Sequence, residues 1–181
     1  MLSTKQEEIF DVNRQIALRI FIIIRRKGVV PEGDVWMRAY QLYLIEEEFA
    51  SHYVGREKMF FQLFQEFEES SGALKSILSK QIQFITKPIP GLKLHQYINQ
   101  HLYRKNDFLA KKGAYYIKVG KKSNAKLEVK DQSLILEASG NYDAEAIFFE
   151  VLRKSESFFL AIDLKHHRYG WLKPIKERKF V

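Results

Sequence analysis

The stretch GAYYIKVGKKSNAKLEVKDQSLILEA, residues 113–138, decides the fold that the sequence predicts. Apolar and polar residues alternate within it, and short polar turns separate the alternating runs. A period of two residues is typical of half-buried strands, so we expect strands at 115–119, 125–129 and 133–138. The stretch therefore predicts an antiparallel β meander that begins at Gly113.

Upstream of this stretch the apolar residues follow helical spacing instead. Thr4 and Glu7 fit a capping box, and apolar residues then recur every three or four positions. Glycines or prolines interrupt the pattern several times before residue 113, and each interruption marks the end of a helix. We therefore expect about five helices, at 4–27, 35–53, 56–70, 73–84 and 94–109.

Downstream of the stretch, 158–164 and 169–172 are predicted strands. Residues 146–153 fit two patterns, a helix with Asp143 as its cap or a strand that forms a hairpin with 158–164, and we favour the strand.

The sequence therefore predicts an α+β protein with an N-terminal helical part of about five helices, followed by a C-terminal antiparallel β meander of about five to six strands. We expect a helical region at 1–112, a β region packed on it at 113–175, and a polar tail at 176–181.

Composition narrows the class of protein. The chain contains no cysteine, which excludes disulfides, cysteine-ligated metals and thiol catalysis. The polar N-terminus lacks the features of a signal peptide, and the longest apolar run, 16–24, is shorter than the roughly 20 residues of a membrane helix. Phosphate-binding glycine loops are also absent from the sequence. We expect a cytoplasmic protein with no membrane contact, no cofactor and no bound metal.

Residues 73–130 hold the positive charge of the chain. They carry 13 Lys or Arg and two acidic residues, whereas the whole chain has a net charge of +8. Clustered cations neutralise phosphates, and interleaved tyrosines can stack on bases. Only one of the 13 cations is Arg, which favours contacts with the backbone of DNA or RNA over base-specific contacts. We predict a non-catalytic nucleic-acid-binding protein whose contact residues are Arg104, Lys105, Lys111, Lys112, Tyr116, Lys121 and Lys122.

A protein-interaction or adaptor protein with no nucleic-acid ligand is the alternative. In that case the basic segment 73–130 would bind an acidic protein partner. The predicted first helix, 4–27, is apolar nearly all round in its final turns, so it could also mediate self-association.

A magnesium-dependent nuclease is a further alternative. The run FFLAIDLK, residues 158–165, resembles half of the PD-(D/E)xK nuclease signature, with Asp163 and Lys165 in the motif positions and Glu137 as the second acid. Only 16 residues follow Lys165, too few for the helix and strand that this family requires after the motif. Glu48 and His52 have a spacing that metals use, but two ligands alone do not define a site. We therefore expect no catalytic and no metal-binding residues.

Overall fold

The computed structural model describes residues 37–105, 107–111 and 113–175. The strands in these residues are β1 (Met37–Ile45), β2 (Thr86–Lys87), β3 (Phe108–Lys111), β4 (Ala114–Val119), β5 (Ser123–Val129), β6 (Leu134–Gly140), β7 (Phe159–Asp163) and β8 (Arg168–Trp171). The helices are α1 (Glu47–His52), α2 (Glu57–Glu69), α3 (Gly72–Ile85), α4 (Gly91–Leu102) and α5 (Asp143–Ser155). Within this part of the chain, no helix is both long and apolar enough to cross a membrane.

All eight strands belong to one antiparallel sheet. Its order is β3-β4-β5-β6-β1-β7-β8, and β2 pairs with the end of β1. Strands β3 to β6 form a meander because each pairs with the next along the chain. β1 comes first in the described chain but lies inside the sheet, where Gln41 pairs with Ile135 of β6 and Ile162 of β7. The meander expected from 113–138 is therefore present, but it is only one part of a larger sheet.

The expected helix at 35–53 is wrong over most of its length, and so is the expected order of a helical part followed by a β part. Residues 37–45 form β1, in which Tyr40, Leu42 and Leu44 are buried on one face of the sheet, and only the short α1 follows. The apolar residues of this stretch fit both a helical period and a two-residue period. Strand pairing decides between them, because β6 and β7 supply hydrogen-bond partners on both sides of β1.

The strand favoured at 146–153 is also wrong, because 143–155 form α5. Ala144, Phe148 and Leu152 lie four residues apart and are fully buried, as residues on one helical face are. The first turn of α5 is acidic and its last turn is basic, which suits the helix dipole. The helical stripe that the sequence contains was therefore the correct pattern.

The expected helices at 56–70 and 73–84 are confirmed as α2 and α3. The helix expected at 94–109 is present as α4, but it ends at Leu102 because the chain turns there and continues as β3. The expected first helix, 4–27, and the polar tail, 176–181, lie outside the described residues.

The sheet carries helices on both faces. On the first face, α4 and α5 enclose the larger core, in which Ile98 and Phe148 join buried residues of β4, β5 and β6. On the second face, a smaller core around Phe60, Phe64 and Trp171 joins α1 and α2 to β1, β7 and β8. This smaller core contains no residue from β3 to β6. The two faces of the sheet are therefore covered to different extents.

A buried ion pair fastens β1 to α5. Arg38 Nη2 lies 2.8 Å from Glu145 Oε2, and the two side chains are only 4% and 3% exposed. The same guanidinium donates hydrogen bonds to the carbonyls of Gly140 and Asn141, and the Tyr40 hydroxyl donates to Glu145 Oε1. Burial raises the pKa of the Glu145 carboxyl, whereas the hydrogen bond from Arg38 acts in the opposite direction. Each charge is therefore compensated only while its partner is present.

We expect Arg38→Met to destabilise the protein by about 3–5 kcal/mol, because it leaves a carboxylate buried without its cation. The double variant Arg38→Met/Glu145→Leu should recover most of this loss, since it removes both charges and keeps apolar volume. Urea denaturation followed by circular dichroism measures both free energies of unfolding. A single variant as stable as the wild type would show that the ion pair does not hold β1 in place.

Gly140 offers a second test, because a Cβ atom at this position would lie 1.7 Å from the carbonyl oxygen of Lys122. Gly55 is a matched control, since its φ of 78° is close to the 77° of Gly140 and a Cβ there meets nothing within 4 Å. Gly55→Ala should cost about 1–2 kcal/mol of stability from the left-handed backbone alone. Gly140→Ala should cost about 1–3 kcal/mol more, from steric overlap. Equal losses in thermal unfolding experiments would contradict the close approach.

Candidate protein interface

Helix α3 presents apolar side chains to solvent. Leu74, Ile77 and Phe84 lie at positions i, i+3 and i+10, which places them along one side of the helix. All three are exposed, and Phe84, at 72%, is the most exposed aromatic side chain among the described residues. Leu78 is the one buried residue of α3. A helix with so much of its apolar surface in solvent is typical of a protein-binding surface.

Phe84 belongs to a group of neighbouring aromatic rings. Its ring packs edge-on against Phe49 of α1, with 5.3 Å between the ring centroids and an angle of 62° between the rings. Tyr53 directly follows α1, four residues after Phe49, and its ring packs against the buried ring of Phe60. We call Phe49, Tyr53 and Phe84 the aromatic patch. The patch combines one exposed ring with two half-buried rings that rest on the smaller core.

The short pairing of β1 with β2 explains why these rings meet. Ile45, the last residue of β1, pairs with Thr86, the first residue of β2. The Glu46 amide also donates a hydrogen bond of 2.9 Å to the carbonyl of Ile85. The start of α1 is therefore fixed beside the end of α3. The rings of Phe49 and Phe84 are brought together by backbone hydrogen bonds rather than by their own attraction alone.

The rim of the aromatic patch is acidic. Glu47 and Glu48 are exposed in the first turn of α1. Glu46 forms an ion pair of 3.3 Å with Lys87, and both side chains are 41% exposed. An ion pair this exposed adds little stability. An apolar centre with an acidic rim suits a protein partner that presents apolar side chains surrounded by basic ones.

The residues predicted to bind nucleic acid are spread along the far end of the sheet. Arg104 and Lys105 follow α4, Lys111 ends β3, Tyr116 lies within β4, and Lys121 and Lys122 lie in the turn after β4, while Lys112 lies outside the described residues. Strand β4 has six residues and spans about 17 Å. Lys111 and Lys121 therefore lie at opposite ends of this strand, and the structure does not bring the predicted residues into one cluster.

The aromatic residues interleaved with these cations contribute to the core. Tyr115 is 3% exposed, and its ring stacks on Phe108 with 5.7 Å between centroids. Tyr97 stacks on His101 at 4.0 Å and packs against the larger core. Tyr103 and Tyr116 are the exposed ones. Because Tyr97 and Tyr115 pack in the larger core, the four tyrosines do not form a continuous platform for stacked bases.

The nuclease alternative also finds no support in the geometry. Asp163 is 1% exposed, and its carboxylate accepts hydrogen bonds from the amide and the ring of His166. Asp163 lies two residues after Ala161 of the larger core, so its side chain points to the first face. Glu137 is paired across the sheet with Lys126 and forms an ion pair with it on the second face. The two acids point to opposite faces, and the described residues contain no group of three potential metal ligands.

The sequence alone did not indicate the aromatic patch. The helices expected at 35–53 and 73–84 placed Phe49 within one helix and Phe84 at the end of another. A signal was nevertheless present, because the apolar residues of α3 occupy an arc of about 160°, nearly half of its circumference, at Leu74, Ile77, Leu78, Ile82, Phe84 and Ile85. This arc is wider than the stripe of roughly 100° by which a surface helix packs on a core, so we expect some of its residues to face solvent or a partner.

Comparison with known proteins identifies similarities over most of the chain. The family model described as SirA, sporulation inhibitor of replication protein SirA, matches residues 38–176. The sporulation inhibitor of replication protein SirA of Bacillus subtilis (strain 168) is 47% identical over 151 residues. The aligned region covers 80% of this chain and 99% of that protein. The family match spans the aromatic patch and the whole sheet except the first residue of β1.

These similarities correct the main functional prediction. Binding of DNA or RNA backbone through 73–130 is not supported, since the relative is described as an inhibitor of replication and not as a nucleic-acid-binding protein. The charge pattern suggested nucleic-acid binding wrongly, because the cations are spread along the sheet and two of the interleaved tyrosines pack in the core. The findings agree better with the alternative, a protein that acts through protein–protein interaction.

We expect Phe84→Ala to lower the free energy of unfolding by less than about 1.5 kcal/mol, because the ring loses one aromatic contact and little burial. Phe64→Ala is the matched control, since Phe64 is a buried phenylalanine of the smaller core. That substitution should cost about 3–5 kcal/mol. Thermal or urea denaturation measures the difference. Similar losses for the two variants would mean that Phe84 serves the fold and not an interface.

Proposed function

We propose that this chain, which belongs to the SirA family of sporulation inhibitor of replication proteins, inhibits DNA replication by binding a protein of the replication machinery. The partner contacts the aromatic patch and the exposed side of α3. The protein acts by occupying a surface of its partner, and no chemical step is involved. Such an inhibitor works where the chromosome is replicated, so we place it in the cytoplasm.

The exposure of Phe84 is the observation that carries this proposal. Interfaces concentrate their binding energy in a few aromatic anchors near the centre, and a ring that is 72% exposed loses most of its contact with water on binding. Phe49 supports the ring from one side and limits the orientations that it can adopt. Binding to a pre-organised ring costs less conformational entropy than ordering a free side chain.

The apolar stripe of α3 extends the surface beyond the anchor. Leu74 and Phe84 are ten residues apart, which corresponds to about 15 Å along the helix axis. An amphipathic helix of the partner can lie along this stripe, with its own apolar residues between those of α3. The acidic rim formed by Glu47 and Glu48 then favours basic residues at the edge of the contact.

We expect Phe84→Ala to abolish replication inhibition without unfolding the protein. The wild-type chain, produced in growing Bacillus subtilis, should lower the amount of chromosomal DNA per cell, measured by quantitative PCR and flow cytometry. Leu92→Ala is the matched control, because Leu92 is 78% exposed but lies on α4, away from the aromatic patch. This variant should inhibit as strongly as the wild type.

Purification supplies an independent readout. A protein of the replication machinery should copurify with the wild type and with Leu92→Ala, but its recovery with Phe84→Ala should fall at least about tenfold, as for an interface anchor. Full inhibition by Phe84→Ala at an equal protein level would refute the patch as the binding surface. Loss of inhibition in both variants would show that exposed apolar side chains act non-specifically.

A further inference from the structure

The second face of the sheet is open over strands β3 to β5. The apolar cluster on this face is confined to β1, β7, β8 and the helices α1 to α3, together with flanking residues. The helices that cover β4 and β5 lie on the first face. Strand β3 is also the edge of the sheet, because it pairs with β4 alone among the described strands. The open half-face thus adjoins an open edge.

An exposed apolar pair lies on the part of this half-face that β3 and β4 form. Leu109 of β3 is directly opposite Tyr116 of β4, so both side chains point to the same side of the sheet. They are 58% and 37% exposed. Their neighbours Tyr115 and Ile117 point to the first face and are buried in the larger core. The pair is therefore exposed because nothing described covers it, and not because the strands are loosely packed.

Cations flank the apolar pair at both ends. Lys111 follows Leu109 by two residues and Lys118 follows Tyr116 by two residues, so all four side chains share one face. Lys118 also adjoins the turn that carries Lys121. None of these three lysines forms an ion pair with a described residue. Lys111 and Lys118 are separated by about 14 Å along the strands, with the apolar pair midway between them.

In contrast, Lys126 of the neighbouring strand β5 and Lys130, which directly follows β5, form ion pairs with acidic residues. Lys126 lies 2.5 Å from Glu128 and 3.5 Å from Glu137, and Lys130 lies 2.7 Å from Glu128. The hydrogen bonds from these two lysines hold the pKa of Glu128 at about 2. The positive charge of β5 is thus neutralised within the protein. Lys111 and Lys118, in contrast, form no ion pair with a described residue.

We propose that the open half-face of β3 and β4 is a second protein-binding surface, which takes an extended acidic segment of a partner. Alternate residues of an extended segment lie about 6.8 Å apart on one side. A segment with an apolar residue flanked two positions away by carboxylates therefore matches the apolar pair and the two lysines. This surface goes beyond the proposed function, because four strand spacings, about 19 Å, separate β3 from β1 beside the aromatic patch.

The positive charges of Lys111 and Lys118 favour an acidic segment over a second copy of the chain as the binding partner. Two copies that paired through β3 would bring Lys111 and Lys118 of both chains into one interface, where like charges oppose association. Exposed lysines on an edge strand also hinder edge-to-edge pairing with other sheets. An acidic segment turns the same charges into attraction, and its apolar residue covers the exposed pair.

Fluorescence anisotropy with a labelled peptide tests the proposal on the full chain. The probe is Glu-Ala-Glu-Ala-Leu-Ala-Glu-Ala-Glu, and a second peptide carries Ser in place of Leu at equal charge. We expect the wild type to bind the Leu peptide at about 25 mM salt, and the affinity to fall as salt rises towards about 200 mM. The Ser peptide should bind at least about fivefold more weakly, because it cannot cover the apolar pair.

The decisive variant is Lys111→Glu/Lys118→Glu, which should weaken binding at least about tenfold through repulsion. Lys58→Glu/Lys165→Glu is the matched control, since both lysines are exposed, form no ion pair with a described residue and give the same change in net charge. It should weaken binding less than about threefold, because neither lysine lies on the half-face. Circular dichroism should show unchanged melting for both, because exposed charges seldom set stability.

Three outcomes of the anisotropy measurements would overturn the proposal. The first is the absence of peptide binding by the wild type at the lowest salt concentration. The second is equal weakening by the two double variants, which would mean that net charge alone attracts the peptide. The third is tighter binding of a single-stranded DNA of equal charge, which would show a preference for phosphates. Backbone amide NMR shifts confined to β3 and β4 on adding the Leu peptide would support it, and shifts in α3 instead would place the peptide elsewhere.

Discussion

The pairing of β1 with strands from the far end of the chain is the constraint on which the rest of the structure depends. β1 lies between β6 and β7, so it joins the meander to the C-terminal hairpin of β7 and β8. Its side chains enter both cores, with Leu42 in the larger one and Ile45 in the smaller one. The Arg38–Glu145 ion pair fixes its start against α5, and the pairing with β2 fixes its end. β1 and β7 therefore form the wall that the two cores share, and β1 joins that wall to the meander.

Local patterns predicted those parts of the fold whose contacts are local. The meander of β4 to β6 is visible in the sequence because each strand pairs with the next across a short turn. Helices α2 and α3 are visible because their apolar stripes follow a single period. β1 and α5 were misassigned, since both stretches fit two periods. In each case the choice was made by distant contacts, with β6 and β7 for one and with the sheet for the other.

The candidate site was harder to predict than the fold. Charge is easy to count in a sequence, but whether a lysine is paired also depends on cross-strand neighbours, as the ion pair between Lys126 and Glu137 of β6 shows. The aromatic patch was hard to predict because its residues lie far apart in the sequence. Phe49 and Phe84 are 35 positions apart, and only the pairing of β1 with β2 brings them together. Hydrophobic residues in a sequence are usually assigned to the core. A sequence pattern therefore does not distinguish an apolar residue of an interface from one of the core.

The position of β1 also has a consequence for the timing of synthesis. Arg38 and Glu145 are 107 residues apart along the chain, and Gln41 pairs with Ile162, which is made later still. At about 5–20 residues per second, a ribosome needs roughly 5–20 s to make the intervening chain. The wall between the two cores cannot close during most of translation, and long-range pairing of this kind is slow to form. The aromatic patch rests on that wall, so a nascent copy completes the patch only when its synthesis is nearly complete.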